Sequence, residues 1–106
     1  MRSVSGIRAS GNPHLGNYLG AMKPQIELQQ EFDELFYFIA DLHAITTPIP
    51  KDQLHTSSLQ IAALYLALGL DPEKAVLFAQ NRIPEHAELC WILLTLARMG
   101  ELERMT

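Results

Sequence analysis

The chain is poor in several features that would point to particular functions. It has one cysteine, Cys90, so no internal disulfide can form, and the thiol fits a reducing compartment. Its cysteine and histidines show no metal-binding spacing. Lys and Arg total 8 against 12 Asp and Glu, a net charge of −4, and no basic run stands out, so a linear nucleic-acid-binding footprint is absent. If the protein handles nucleic acid, the contacts depend on local geometry or lie elsewhere. No run approaches the ~20 apolar residues that a membrane span requires, and the opening Met1-Arg2-Ser3-Val4 lacks a secretory apolar stretch. These features predict a cytoplasmic, soluble protein.

What is present is a core. Of 106 residues, 48% are hydrophobic and 19% charged, a balance that argues against disorder. Arg2–Arg8 reads as a strand, followed by a loop with Gly11 and Pro13. A helical pattern runs from His14 to about Gln30, with Leu15, Leu19, Met22, Ile26 and Gln29 along one side and Pro24 placed to kink or split it. Glu34–Ala40 is an apolar, aromatic run suited to a parallel strand covered on both faces. Lys51–Leu68 reads as a second helix, with Leu54, Ser58, Ile61, Tyr65 and Leu68 on one stripe and Gly69 as a left-handed cap. Asp71-Pro72-Glu73 starts a short turn with Asp71 as N-cap and Pro72 in the first helical position, Ala75–Gln80 reads as a third strand, and Pro84–Arg98 as a further helix.

This β-α-β-α-β-α alternation predicts an α/β fold with a parallel sheet and right-handed crossovers. Ligands in such sheets sit beyond the carboxyl ends of the strands, so residues 6–10, 41–43 and 80–82 should converge. The stretch from Ser5 to Gly20 carries the most chemistry. Gly6 and Gly11 permit tight backbone turns, and His14 and Asn17 share one face at a helix start, with Gly16 leaving room beside them. A helix head attracts phosphate. His14 has a donor for phosphate and Asn17 both a donor and an acceptor. A glycine-containing loop before a helix is also often only a turn, and the segment matches neither the P-loop nor the dinucleotide fingerprint.

The segments Ser5-Gly6-Ile7-Arg8-Ala9-Ser10-Gly11 and Pro13-His14-Leu15-Gly16-Asn17-Tyr18-Leu19-Gly20-Ala21 closely resemble the start of the tryptophanyl-tRNA synthetases, class I aminoacyl-tRNA synthetases. His14-Leu15-Gly16-Asn17 resembles that family's form of the class I "HIGH" signature. The stretches 39–46, 63–74, 83–89 and 100–106 agree in order and spacing, so the resemblance covers essentially the whole chain.

The resemblance implies an incomplete Rossmann-like catalytic domain, of which residues 1–106 are the N-terminal part. It implies formation of tryptophanyl-adenylate from tryptophan and ATP with Mg²⁺, transfer to tRNA(Trp) mainly through regions outside this chain, and a homodimer. Arg8, Ala9, Ser10, Gly16 and Asn17 fall where the family binds ATP. His14 and Asn17 belong to the catalytic signature, and Gly6 and His43 fall near the tryptophan pocket. Arg8-Ala9 replaces the Gln-Pro of many members. The lysine-rich "KMSKS" loop, the acidic residue that reads the indole N–H, and the anticodon-binding domain are expected beyond Thr106.

Outside that motif, Asp41 suits a structural role, holding loop 42–47 through backbone N–H groups. Glu85 and Glu88 suit compensation of a helix dipole. Leu89, Trp91, Ile92, Leu93 and Leu96 suit core or a subunit interface. Two rivals share these features: another enzyme of the same type, such as a tyrosyl-tRNA synthetase or a nucleotidylyltransferase, and a non-catalytic dimerisation or regulatory module on the same fold.

Overall fold

A computed structural model of the chain describes residues 1–9 and 13–105. Three parallel strands, β1 (Arg2–Arg8), β2 (Glu34–Ala40) and β3 (Ala75–Ala79), form one sheet in the order β1-β2-β3. The expected α/β architecture, a parallel sheet with flanking helices, is therefore present. Gly6 stands opposite Phe38 in the register of β1 and β2.

The first crossover is one continuous coil of changing pitch: α1 (Leu15–Asn17), a π-helical stretch Tyr18–Met22, α2 (Lys23–Glu27) and a 3₁₀ turn Leu28–Gln30. Pro24 explains the change. It has no N–H and would clash with the carbonyl four residues back, and the wider π turn immediately before it gives that carbonyl room. The second crossover contains α3 (Asp41–Ala44) and α4 (Lys51–Ala67). Gly69 ends α4 with φ +103°, and the Leu70 N–H donates back to Tyr65 O at 2.9 Å, the left-handed termination expected at that glycine. Asp71 forms a turn, not a helix start: its Oδ1 accepts from Glu73 N (2.9 Å) and its carbonyl from Lys74 N (3.0 Å).

Both crossovers lie on the same face of the sheet. Leu35, Tyr37 and Ile39 of β2 are buried there with Ile7, Met22, Ile61, Tyr65 and Leu70. Gln25 and Gln29, one helical turn apart, are buried among them. Gln25 Nε2 donates to Ser5 Oγ (2.7 Å), its carbonyl accepts from Tyr37 OH (2.6 Å), and its Oε1 accepts from Tyr65 OH. One side chain and its own carbonyl thereby tie β1, β2 and α4 together. Gln29 does the same for the loop after α4, donating to Gly69 O (3.2 Å) and accepting from Asp71 N (2.6 Å).

The opposite face departs from the expectation of a strand covered on both sides. Phe36 and Phe38 are only half-buried, and Val4 and Val76 are exposed. Of the described helices, α5 (Pro84–Leu96) reaches this face, where His86 meets the rings of Phe38 and Phe78 at 6.1 and 6.3 Å between centroids. The apolar side chains of α5 stay outside any core of this chain: Leu89, Trp91, Ile92, Leu93, Leu94 and Leu96 are all exposed, Trp91 by 69%. Past α5 the chain makes a short helix, α6 (Met99–Leu102), and a 3₁₀ turn, Glu103–Met105.

Burial pushes the Tyr65 phenol up to about 12, with the neighbouring Tyr37 adding to the effect. A phenol whose folded pKa is raised contributes stability that is complete below its unfolded value near 10 and is lost as pH rises toward 12. Urea unfolding should therefore show a loss of about 1 kcal/mol between pH 8 and pH 11. Tyr65→Phe should be less stable at pH 8 and show a smaller alkaline loss.

Candidate functional site

The carboxyl ends of the three strands do converge. Asp41, the first residue after β2, is buried, and its Oδ1 accepts from Leu42 N (2.8 Å) and from Asn81 N (3.0 Å) in the 3₁₀ turn Gln80–Arg82 after β3. It serves the structural role expected of it and also bridges two strand ends. From β1, Arg8 Nη2 donates to Thr47 Oγ1 (2.6 Å) and to Ala44 O (3.5 Å), which fastens the loop after α3 to the first strand. Arg8 Nε–H is buried without an acceptor among the described residues. A buried donor left unpaired costs about 1–3 kcal/mol, so the edge of this site holds a donor suited to an oxygen of a ligand. Ala9, which follows, is fully buried.

Ser10, also expected at this site, lies outside the described residues with Gly11 and Asn12. Beyond them the chain enters α1 through a reciprocal cap. His14 is the N-cap residue; its Nδ1 accepts from Gly16 N (3.1 Å), and Asn17 Oδ1 accepts from His14 N (3.0 Å). His14 and Asn17 are therefore adjacent, as expected, and they are joined through each other's backbone. Gly16 leaves room for the cap: a Cβ on it would lie 2.9 Å from the His14 ring, which would then have to shift. The cap also sets the chemistry of His14. An Nδ1 that accepts carries no proton, so in the neutral ring the N–H is on Nε2, and the exposed imidazole presents a donor outward.

Gly6 and His43 occupy neighbouring strand ends, Gly6 two residues before the end of β1 and His43 in α3 directly after β2. His43 is exposed, and its carbonyl accepts from Thr46 Oγ1 at 2.8 Å. Gly6 has a packing reason that its sequence context did not reveal. A Cβ there would fall 2.5 Å from the Phe38 ring, which lies across the glycine on the sheet face that the crossovers leave open. Phe38 in turn packs against Phe78 (6.0 Å) and His86. An apolar cavity of about 580 Å³ opens beside this cluster, lined by Val4, Phe38, Phe78, His86, Cys90 and Leu93 among others. Sequence reasoning missed the aromatic cluster because its members come from three separate elements.

Asp41→Ala should remove both acceptor bonds and lower the unfolding free energy by about 2 kcal/mol. Asp41→Asn, which keeps an oxygen at the same place, should lose less, as read by urea titration.

Comparison with known proteins agrees with this architecture. The family model described as tRNA synthetases class I (W and Y) matches residues 1–106. The Tryptophan--tRNA ligase of Bacillus subtilis (strain 168) is 51% identical over 102 residues, covering 96% of this chain and 31% of its own length. That of Rickettsia conorii is 48% identical over 103 residues, covering 97% of this chain and 31% of its own length. Among solved structures, the tryptophanyl-tRNA synthetase of Mycoplasma pneumoniae superposes with a TM-score of 0.91 at 45% identity, covering 99% of this chain and 30% of that one. The tryptophanyl-tRNA synthetase of Campylobacter jejuni complexed with ADP and tryptophane superposes with a TM-score of 0.88 at 42% identity, covering 98% of this chain and 32% of that one. The chain thus spans about a third of the length of the relatives it matches. Its strand order, its strand-end geometry and this agreement along all 106 residues have one reading: the chain belongs to the class I tRNA synthetases of the tryptophan and tyrosine family.

Proposed function

We propose that the protein is a tryptophan–tRNA ligase, which activates tryptophan with ATP to tryptophanyl-adenylate and passes it to tRNA(Trp). In this reading residues 1–106 are the first part of a Rossmann-like catalytic domain, the part that seats ATP. The observation that carries it is the His14–Gly16–Asn17 cap at the head of α1, in a chain about half identical to tryptophan–tRNA ligases. The Campylobacter relative bound to ADP and tryptophane supports the same pair of ligands here.

Arg8, Ala9, Ser10, Gly16 and Asn17 are the proposed ATP contacts. The unpaired Arg8 Nε–H is a donor for a phosphate oxygen or the ribose. The Asn17 amide, whose Oδ1 is held by the cap, keeps its NH₂ donors for the nucleotide. Gly6 and His43 are the proposed tryptophan contacts.

The tryptophan carboxylate oxygen attacks the α-phosphorus, the bond to the bridging oxygen breaks, and pyrophosphate leaves with the electron pair. No proton need move, so the protein's contribution is position and charge stabilisation. In this reading His14 Nε2–H, whose tautomer follows from the Gly16 N bond to Nδ1, meets the negative charge growing on the phosphates. ATP is used with Mg²⁺ in this reading. Among the described residues no group of three His, Cys, Asp or Glu could hold a metal ion, so these residues do not fit a protein-held ion and no step is assigned through one.

The partners are tryptophan, ATP, tRNA(Trp) and a second copy of the chain. The exposed apolar side chains of α5 favour that last pairing. A cytoplasmic location fits the single exposed thiol. Among the described residues no helix is long and apolar enough to cross a membrane. The tryptophan reading is favoured over tyrosine because the relatives named above are all of the tryptophan type.

The test is pre-steady-state kinetics on the full-length protein. His14→Ala should slow adenylate formation by about 10²–10³-fold, the usual cost of one lost oxyanion-type donor, while changing the tryptophan Kd less than threefold. Equal losses in both would remove His14 from the transition state. Pyrophosphate exchange driven by tyrosine, or by no amino acid, would overturn the assignment itself.

A further inference from the structure

Four of the eight Lys and Arg side chains of this acidic chain, Arg2, Arg8, Lys23 and Arg104, have hydrogen-bond or ion-pair partners among the described residues. Arg2 pairs with Glu34 at 2.6 Å, Lys23 with Glu27 at 3.8 Å, Arg8 holds the 44–47 loop, and Arg104 donates to Gly100 O. Lys51 and Arg82 make no hydrogen bond or ion pair among the described residues, and both open onto one cleft. The cleft has a volume of about 510 Å³ and lies between α4 and the carboxyl end of β3, within the size range of small-molecule sites.

Its walls differ in character. The floor is apolar, made by Leu54 and Ala62 of α4 and by Leu77 of β3. The rim is basic: Lys51 and His55, one turn apart at the head of α4, and Arg82 from the turn after β3. The positive end of a seventeen-residue helix adds to that rim, and no side chain caps it. The one acidic wall residue, Asp41, has its Oδ1 committed to the Leu42 and Asn81 amides. Among the described residues, none assigned above to ATP or tryptophan lines this cleft.

We propose that the α4–β3 cleft binds a phosphate carried by a nucleotide or by a nucleic-acid strand, with Lys51 and Arg82 gripping the phosphate and a base or sugar lying on the Leu54–Ala62–Leu77 floor. Two cations unpaired among the described residues and an imidazole over an apolar floor suit that chemistry, because phosphate needs charge-assisted donors and a base or sugar needs an apolar surface to lie on.

The test is amide NMR on the full chain, titrated separately with ADP and with a twelve-nucleotide single-stranded oligoribonucleotide. Either probe should shift the amide signals of Lys51, His55 and Arg82, and the probe that does so identifies the source of the phosphate. Lys51→Ala/Arg82→Ala should weaken that binding at least tenfold. For the oligonucleotide it should also lower the slope of log K against log[salt] by about 1.4, two contacts at ~0.7 each. Lys74→Ala, a control outside the cleft, should leave binding within twofold.

The proposal is overturned if neither probe moves those signals, or if the double variant keeps both affinity and salt slope. ADP shifts confined to residues 14–17 would also overturn it while supporting the ATP site. Loss of cleft binding with unchanged pyrophosphate exchange in the full-length protein would support the cleft as an independent site.

Discussion

The arrangement depends on one buried amide. Gln25 uses its Nε2, its Oε1 and its own carbonyl to hold Ser5, Tyr65 and Tyr37, one from each of β1, α4 and β2. Each of those groups is a polar atom in an otherwise apolar layer, where an unpaired donor or acceptor costs several times what a good bond contributes. Because all three are satisfied by one residue, the first crossover can sit on the sheet in one register only. Tyr37 and Tyr65 then stack, with ring centroids 6.2 Å apart and planes within 16°. The network specifies position as well as adding stability.

That fixed register carries through to the strand ends. Once β1, β2 and β3 are aligned, Arg8 reaches Thr47, and Asp41 reaches Asn81 across the ends of β2 and β3. The proposed nucleotide site is therefore held by bonds between connections as well as by the strands beneath them. At the start of α1 the His14–Asn17 cap uses both residues structurally while leaving the outer nitrogen of the imidazole for a ligand. Capping and phosphate recognition use different atoms of the same ring, so the two roles do not compete.

The two faces of the sheet are unequal. The crossover face carries the core, with one cleft between α4 and β3, whereas the other keeps Phe36 and Phe38 half-buried and carries α5 with its apolar side chains outward. A helix apolar on all sides belongs in an interior. The leucines of α5 and Trp91 thus leave an apolar face that the described residues of this chain do not cover.

Periodicity and punctuation alone determined the element order, the parallel sheet, the end of α4 at Gly69 and the pairing of His14 with Asn17, because each depends on residues within a few positions of one another. Asp41 was legible as an acceptor for its own loop, but its bond to Asn81 spans 40 residues and only the folded sheet could supply it. The same holds for Gly6 beneath Phe38, for Gln25 as the centre of the core, and for Lys51, His55 and Arg82 around one cleft. Composition correctly reported an acidic chain without a basic run. Local concentration of positive charge is a property of surfaces brought together by long-range contacts, and in this protein the tertiary structure alone decided it.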